Sequence, residues 1–142
     1  SIAVIGDPSG IAKSSIYEEN SFDVMKRMGF MAFPAPTNEL AQRLRAVEAF
    51  LLAQREGGPA FIIDGKRCPT TVRALNGGYR FAKTRAGVRK PTPDKNEYSH
   101  IADALQYACL AAHGGMVGMI GNRLGGRMRF SDRPKVTKGG WT

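Results

Sequence analysis

Two acidic residues stand where carboxylates do chemistry. Asp7 follows the apolar run Ile2-Ala3-Val4-Ile5 and Gly6, so it sits at the carboxyl end of an expected strand. In open α/β sheets that is the end at which ligands gather. Asp103 lies in the first turns of an expected helix, one turn beyond Ser99 and His100, so the three side chains project in roughly one direction. Asp64 follows another apolar run and is a third acid to weigh. Hard divalent cations such as Mg²⁺ and Mn²⁺ take oxygen ligands and keep several waters. A pair of such ions activates water and steadies the leaving oxygen of a phosphodiester. Asp7 and Asp103, carried on separate elements, would suit nucleic-acid hydrolysis. Strand-end Asp residues also serve as turn formers or caps. A carboxylate on an otherwise apolar helix face needs a partner against the cost of desolvation. For Asp103 a divalent metal, an Arg, or water at a helix edge would each meet that need.

Other chemistries find no support. The stretch from Gly6 to Ser14 holds Gly, Lys and Ser, but Ala12 precedes Lys13 where a phosphate loop needs Gly. Neither His100 nor His113 has a nucleophile elbow near it. Cys68 and Cys109 are far apart and belong to no paired metal-ligand spacing, so free thiols in a reducing setting are expected and a zinc site is not.

The charge points to a polyanion. Lys and Arg total 21 against 12 acids, a formal charge of +9, and each cation facing a phosphate releases condensed counterions. The surplus is concentrated. Lys66, Arg67, Arg73, Arg80, Lys83, Arg85, Arg89, Lys90 and Lys95 face Asp94 alone, and residues 121–142 add six more cations against Asp132. Clustered charge of this kind reads as a nucleic-acid footprint.

The elements that would position these residues alternate. With 142 residues and 42% hydrophobic content, one domain with a modest core is expected. Residues 2–5 read as a fully buried strand. Asn20 or Ser21 caps a helix over 22–28, with Phe22, Met25 and Met28 inward and Gly29 closing it. Met31-Ala32-Phe33 is a second strand. Thr37 and Asn38 cap the longest helix, over 39–55, with Leu40, Leu44, Val47 and Leu51 as its apolar stripe and Arg43, Arg45, Glu48 and Arg55 facing solvent. Ala60-Phe61-Ile62-Ile63 is a third buried strand, a short helix runs from Pro69 to Leu75, and Tyr79 to Lys83 is a half-exposed strand. Residues 85–95 read as an exposed basic turn. The helix that carries Asp103 starts at Asn96 or Ser99 and ends near His113, with Ile101, Ala104, Leu105, Ala108, Leu110 and Ala111 at helical spacing. Strands alternating with helices define an α/β class with a largely parallel sheet. No apolar run is long enough to span a bilayer, and the start has no basic lead of a signal peptide.

Three blocks carry a resemblance. Gly6-Asp7-Pro8-Ser9-Gly10, then Pro34-Ala35-Pro36-Thr37-Asn38, then Asn96-x-Tyr98-Ser99-His100-x-x-Asp103-Ala104-Leu105-Gln106-Tyr107 stand in the order and at the spacing of a known group, with Gly77-Gly78-Tyr79 at a turn the group shares. Together they resemble the C-terminal nuclease domain of the phage terminase large subunit, over about residues 1–112. The resemblance implies an RNase H-like fold, a mixed or parallel central sheet flanked by helices. It implies cleavage of double-stranded viral DNA during genome packaging, with Mg²⁺ or Mn²⁺ at a two-metal site. Asp7 takes the place of the second family acid and Asp103 that of the third, so both are expected to ligate metal, with His100 as an accessory catalytic residue. Asp64 matches no family position and is assigned to a turn or cap. The basic residues Arg80, Lys83, Arg85, Arg89, Lys90 and Lys95 would hold the DNA backbone.

The partners implied are double-stranded DNA, the portal protein, the small terminase subunit and an ATPase domain of the same polypeptide, in the host cell cytoplasm and without a membrane. In the family the first acid lies on a strand upstream of the Gly-Asp-Pro block. The abrupt start without an initiator Met agrees with that. We therefore expect the latter part of a nuclease domain over residues 1–113 and a Gly-rich basic tail over 114–142. Two alternatives stay open: a non-catalytic DNA- or portal-binding module of the same fold, and another RNase H-like nuclease such as a resolvase or an integrase.

Overall fold

The computed structural model describes residues 3–12 and 19–114. All of the expected tail beyond Gly114 lies outside the described residues. The chain is mixed α/β and divides into two units, residues 1–61 with 106–142 and residues 62–105. The described strands pair two by two, once in parallel and twice antiparallel.

The first unit begins with a βαβ arrangement. Strand β1 (Ala3–Gly6) runs parallel to β2 (Met31–Pro34), in register from Ala3 opposite Met31 to Gly6 opposite Pro34. The Ala35 N–H carries the pairing on to the Gly6 carbonyl at 2.8 Å. Helix α1 (Ser21–Arg27) makes the crossover that a parallel pair requires. Asn20 caps it as expected, its Oδ1 accepting from the Phe22 and Asp23 N–H groups at 3.0 Å each. Asp23 in the first turn and Lys26 and Arg27 in the last complement the helix dipole. Phe22 is buried, whereas Met28, expected inward, is exposed. Strand β1 itself is only half-buried.

Helix α2 (Leu40–Leu52) corrects the expected stripe. Its buried residues are Arg43, Ala46 and Val47, while Leu51 is 49% exposed. Periodicity locates an apolar stripe; it does not foresee a cation that finds partners inside. Beyond α2, β3 (Gln54–Arg55) and β4 (Gly58–Pro59) form a small hairpin through Glu56 and Gly57, both at positive φ. The strand expected over 60–63 is absent. Residues 61–64 have no regular structure, and Ile62 is 78% exposed. A short apolar run carries no period that separates strand from coil.

In the second unit, helix α3 (Pro69–Arg73) starts with Pro in its first turn and widens into a π turn over Ala74–Gly78. The Tyr79 N–H closes that turn on the Ala74 carbonyl at 2.9 Å. Asp64 caps a turn, its Oδ1 accepting from the Lys66 and Arg67 N–H groups at 2.9 and 3.2 Å. Strand β5 (Phe81–Lys83) pairs antiparallel with β6 (Arg89–Pro93), where the sequence suggested only a turn. Pro91 and Pro93 hide β6 from a sequence reading, because Pro cannot donate to a ladder and marks edge strands.

Helix α4 (Ser99–His113) contributes residues 99–105 to this unit and 106–113 to the first. Asn96 and Ser99 both serve its start. Asn96 Oδ1 accepts from the Tyr98 N–H at 2.9 Å, and the Asn96 N–H donates to Ser99 Oγ at 2.8 Å. Cys68 and Cys109 are free thiols, and burial pushes that of Cys109 up. No helix among the described residues is long and apolar enough to cross a membrane.

Candidate functional site

The most structured polar cluster of the first unit gathers around Asp7. Gly6 ends β1, and Asp7 caps the short turn Pro8–Ile11, its Oδ1 accepting from the Ser9 N–H at 2.8 Å. The Phe22 ring fixes this corner from beneath. A Cβ on Gly6 would come within 3.3 Å of that ring and one on Gly10 within 3.1 Å, so glycines on both sides of Asp7 let α1 approach. The ring and the two glycines thus set where the carboxylate stands.

Helices α2 and α4 bring the remaining groups. Arg43 is buried on α2, with its guanidinium carbon 4.8 Å from the centre of the Tyr107 ring. A guanidinium over an aromatic face is attracted by the ring quadrupole. Tyr107 is buried on α4, and its hydroxyl lies 2.6 Å from Asn38 Oδ1. Burial pushes the Asp7 carboxyl up. The Ser9 N–H, the Tyr107 hydroxyl, the Ser9 hydroxyl and the Arg43 charge together outweigh that and hold it below its ordinary value. Asp7 is therefore ionised at neutral pH.

The proton balance at Tyr107 constrains Asn38. One hydroxyl proton faces two acceptors, Asn38 Oδ1 and the Asp7 carboxylate. The ionised carboxylate is the stronger acceptor. Tyr107 donates to Asn38 Oδ1 at 2.6 Å, a separation that suits an O–H···O bond and is too short for an amide N–H, so the carboxylate and Asn38 compete for that one proton.

The other expected site residues are distributed differently. Asp103 is half-buried and His100 exposed, both in the second unit, whereas Asp7 is in the first. Ser99 does not join them in a site. It is buried, and its hydroxyl donates to the Asp94 carbonyl at 3.2 Å. Among the described residues no group of three or more His, Cys, Asp and Glu side chains is placed to hold a metal ion. The donor chemistry of Asp7 nonetheless suits a hard cation, since an ionised carboxylate is the ligand type that Mg²⁺ and Mn²⁺ take.

The expected DNA-binding residues are all exposed in the second unit. The β5–β6 hairpin turns through residues 84–88, where the Thr84 N–H donates to the Val88 carbonyl at 2.8 Å and Gly87 takes a φ of +80°. The Arg89 guanidinium stacks 3.8 Å from the centre of the Phe81 ring. Arg80 is tied to Asp94, with Nε 3.8 Å from Oδ2. Among the described residues no ion pair engages Lys83, Arg85, Lys90 or Lys95, so their charge stays available to an anion.

Sequence reasoning missed Arg43, which it placed in solvent, gave no role to Ser9 or Tyr107, and took Asn38 for a cap of α2, whereas α2 starts after Glu39 without a side-chain cap and the Asn38 side chain meets Tyr107. Ser9, Asn38 and Tyr107 lie inside the blocks that carry the resemblance. Arg43 left no mark of its own, because burial of a cation depends on partners distant in sequence. Comparison with protein-family models, with curated proteins and with solved structures gives no match.

Proposed function

We propose that the chain is the latter part of a metal-dependent endonuclease domain, RNase H-like, that cleaves duplex viral DNA during genome packaging. The ordered blocks that resemble the phage terminase large subunit support this reading. The observation that carries it is Asp7, an ionised carboxylate at the carboxyl end of a parallel strand, fixed by Ser9. Asp7 and Asp103 would hold Mg²⁺ or Mn²⁺, with His100 as accessory. Bound there, the ions supply an activated water and steady the leaving oxygen. Ser9 and Tyr107 keep Asp7 anionic. Arg80, Lys83, Arg85, Arg89, Lys90 and Lys95 meet phosphates without reading bases. On this reading the partners are double-stranded DNA, the portal protein, the small terminase subunit and an ATPase domain of the same polypeptide, in the host cell cytoplasm.

The test is cleavage of supercoiled plasmid with Mn²⁺ by the whole chain, Asp7→Asn and Asp103→Asn. Nicking by the wild type that is lost in both variants is the expected result. Activity that survives both substitutions would reject the assignment. Arg43 favours a second reading, a non-catalytic DNA-binding module, because its charge already answers that of Asp7. Salt-sensitive DNA retention without metal dependence or cleavage would select that one.

A further inference from the structure

We propose that Asn76 is a self-modifying site: its side-chain amide is lost to attack by the Gly77 backbone nitrogen, and residue 76 becomes an acid. Asn76 and Gly77 adjoin within the π turn Ala74–Gly78. Asn76 is exposed, so water and hydroxide reach it. Its backbone leaves the helical region, at φ −80° and ψ 21°. Its side chain makes no hydrogen bond among the described residues. Gly77 has no side chain to shield its nitrogen, and no atom lies within 4 Å of the place a Cβ would take. Ring closure turns the peptide plane between the two residues, and Gly77, at a φ of +108°, follows that rotation without a clash. The other described asparagines lack this combination. Asn20 Oδ1 is held by the Phe22 and Asp23 N–H groups, Asn38 Oδ1 by the Tyr107 hydroxyl, and both ends of the Asn96 amide by Gly78 and Tyr98. None of the three precedes a glycine.

The reaction needs only water. The Gly77 nitrogen, its proton taken by hydroxide or a buffer base, attacks the Asn76 Cγ. A C–N bond forms, the Cγ–Nδ2 bond breaks, and ammonia leaves with a proton returned from solvent. Water then opens the five-membered imide at one of its two carbonyls. Opening at Cγ gives aspartate. Opening at the backbone carbonyl gives isoaspartate, in which the main chain runs through the side chain and gains a carbon. Either product is charged at neutral pH. Isoaspartate also displaces the corner that follows. The Gly78 carbonyl accepts from Asn96 Nδ2 at 3.0 Å, and Gly78 stands so close to Tyr98 that a Cβ would come within 2.7 Å of the ring. The inserted carbon therefore works against the tie between the π turn and the start of α4.

The experiment incubates the whole chain at mildly alkaline pH and maps it over time with trypsin and mass spectrometry. Cleavage after Arg73 and Arg80 releases residues 74–80, in which Asn76 is the sole asparagine. The expected result is that this peptide gains the mass of an amide-to-acid change and splits into aspartyl and isoaspartyl forms, ahead of Asn20, Asn38 and Asn96. An exposed turn opens at little free-energy cost, so the rate is expected within about tenfold of that of the synthetic peptide of residues 74–80. A slower rate, or earlier conversion at one of the other three, overturns the proposal. A second arm compares urea denaturation of fresh and aged protein. Aged wild type is expected to unfold at lower urea, while Asn76→Gln, whose longer side chain closes the ring far less readily, keeps its midpoint. An unchanged midpoint in converted wild type, or an equal loss in Asn76→Gln, overturns the link from residue 76 to α4. Should that variant fail to fold, the peptide map of the wild type still decides.

Discussion

Tyr107 and Asn38, 69 residues apart, meet at 2.6 Å and join helix α4 to the loop that precedes α2. The same hydroxyl reaches Asp7. A single phenol thus couples an amide, a carboxylate and, through its ring, a buried guanidinium. Most of the polar groups within the first unit's candidate site depend on it.

This coupling gives Asn38→Asp an unusual pH dependence. In the wild type the Asp7 carboxyl lies below its ordinary 3.8. Its stabilising contribution is full above that value and is lost as the pH falls through the lowered one. A carboxylate at position 38 reverses the sign. Two like charges then compete for one proton, and the pair titrates higher in the folded state than in the unfolded chain. The variant should therefore lose about 2 kcal/mol at neutral pH and recover part of it on acidification. Urea denaturation at neutral and mildly acidic pH measures both. A loss that does not depend on pH would show that Asp7 and residue 38 share no proton.

The β5–β6 hairpin makes a prediction about salt. Lys83, Arg85 and Lys90 are exposed and outside any ion pair among the described residues. Changing all three to Gln should lower the slope of log affinity against log salt by about 0.9 for each phosphate that no longer meets a cation, for any duplex sequence. Arg89 behaves differently, since its guanidinium is set by the Phe81 ring. Phe81→Leu keeps every charge, so it should weaken binding at low salt and leave the slope nearly unchanged. Fluorescence anisotropy across a salt series separates the two. Unchanged slope and affinity in the triple variant would place the DNA-binding surface elsewhere.

The sequence made α1 and the Asp7 corner legible because each is punctuated locally. Asn20, the Gly-Asp-Pro-Ser-Gly turn and Gly29 are signals that act within a few residues. The β1–β2 pairing was legible too, since two short apolar runs flank a helix with a clear cap. What stayed hidden depends on distant partners. Met28 reads as apolar but has no neighbour to cover it among the described residues, and Arg43 reads as solvated but has Tyr107. Strand β6 was lost to its two prolines. The apolar run over 60–63 looked like β1, yet beyond the Ala60 N–H, which donates to the Ala53 carbonyl at 2.9 Å, no strand pairs with it among the described residues. For the site, residue type placed Asp7, whereas the groups that hold it charged came from α2 and α4.

The corner at Gly77-Gly78 should discriminate two neighbouring glycines. Gly78 faces Tyr98 and the Arg73 carbonyl, and a Cβ there would sit 2.7 Å from Tyr98 Cδ2 and 2.8 Å from that oxygen. The backbone oxygen belongs to the end of α3 and cannot yield without unwinding it. Asn96 Nδ2 also donates to the Gly78 carbonyl at 3.0 Å, which ties the corner to the start of α4. Gly78→Ala should cost about 1–3 kcal/mol, as overpacking does. Gly77 has open space around its missing Cβ but a φ of +108°. Gly77→Ala should therefore lose stability through backbone strain alone, about 1 kcal/mol. Chemical denaturation of both variants ranks them, and the reverse order would contradict the close approach to Tyr98.

Gln106 offers the opposite case, a polar side chain whose removal should help. It is 2% exposed, and its Oε1 makes no hydrogen bond among the described residues. A buried carbonyl oxygen without a donor loses its water and gains nothing in return. Leu has nearly the same volume, suits a helix and has no such atom. Gln106→Leu should raise stability by about 1 kcal/mol, since replacing an unmet polar group by an apolar one of like shape removes its desolvation cost. The gain belongs to the isolated chain. Were a ligand or partner to donate to Oε1, the same variant would bind it less well while remaining the more stable protein. Thermal denaturation with and without duplex DNA measures both effects. A loss of stability without DNA would mean that the Oε1 atom already has a donor in the folded chain.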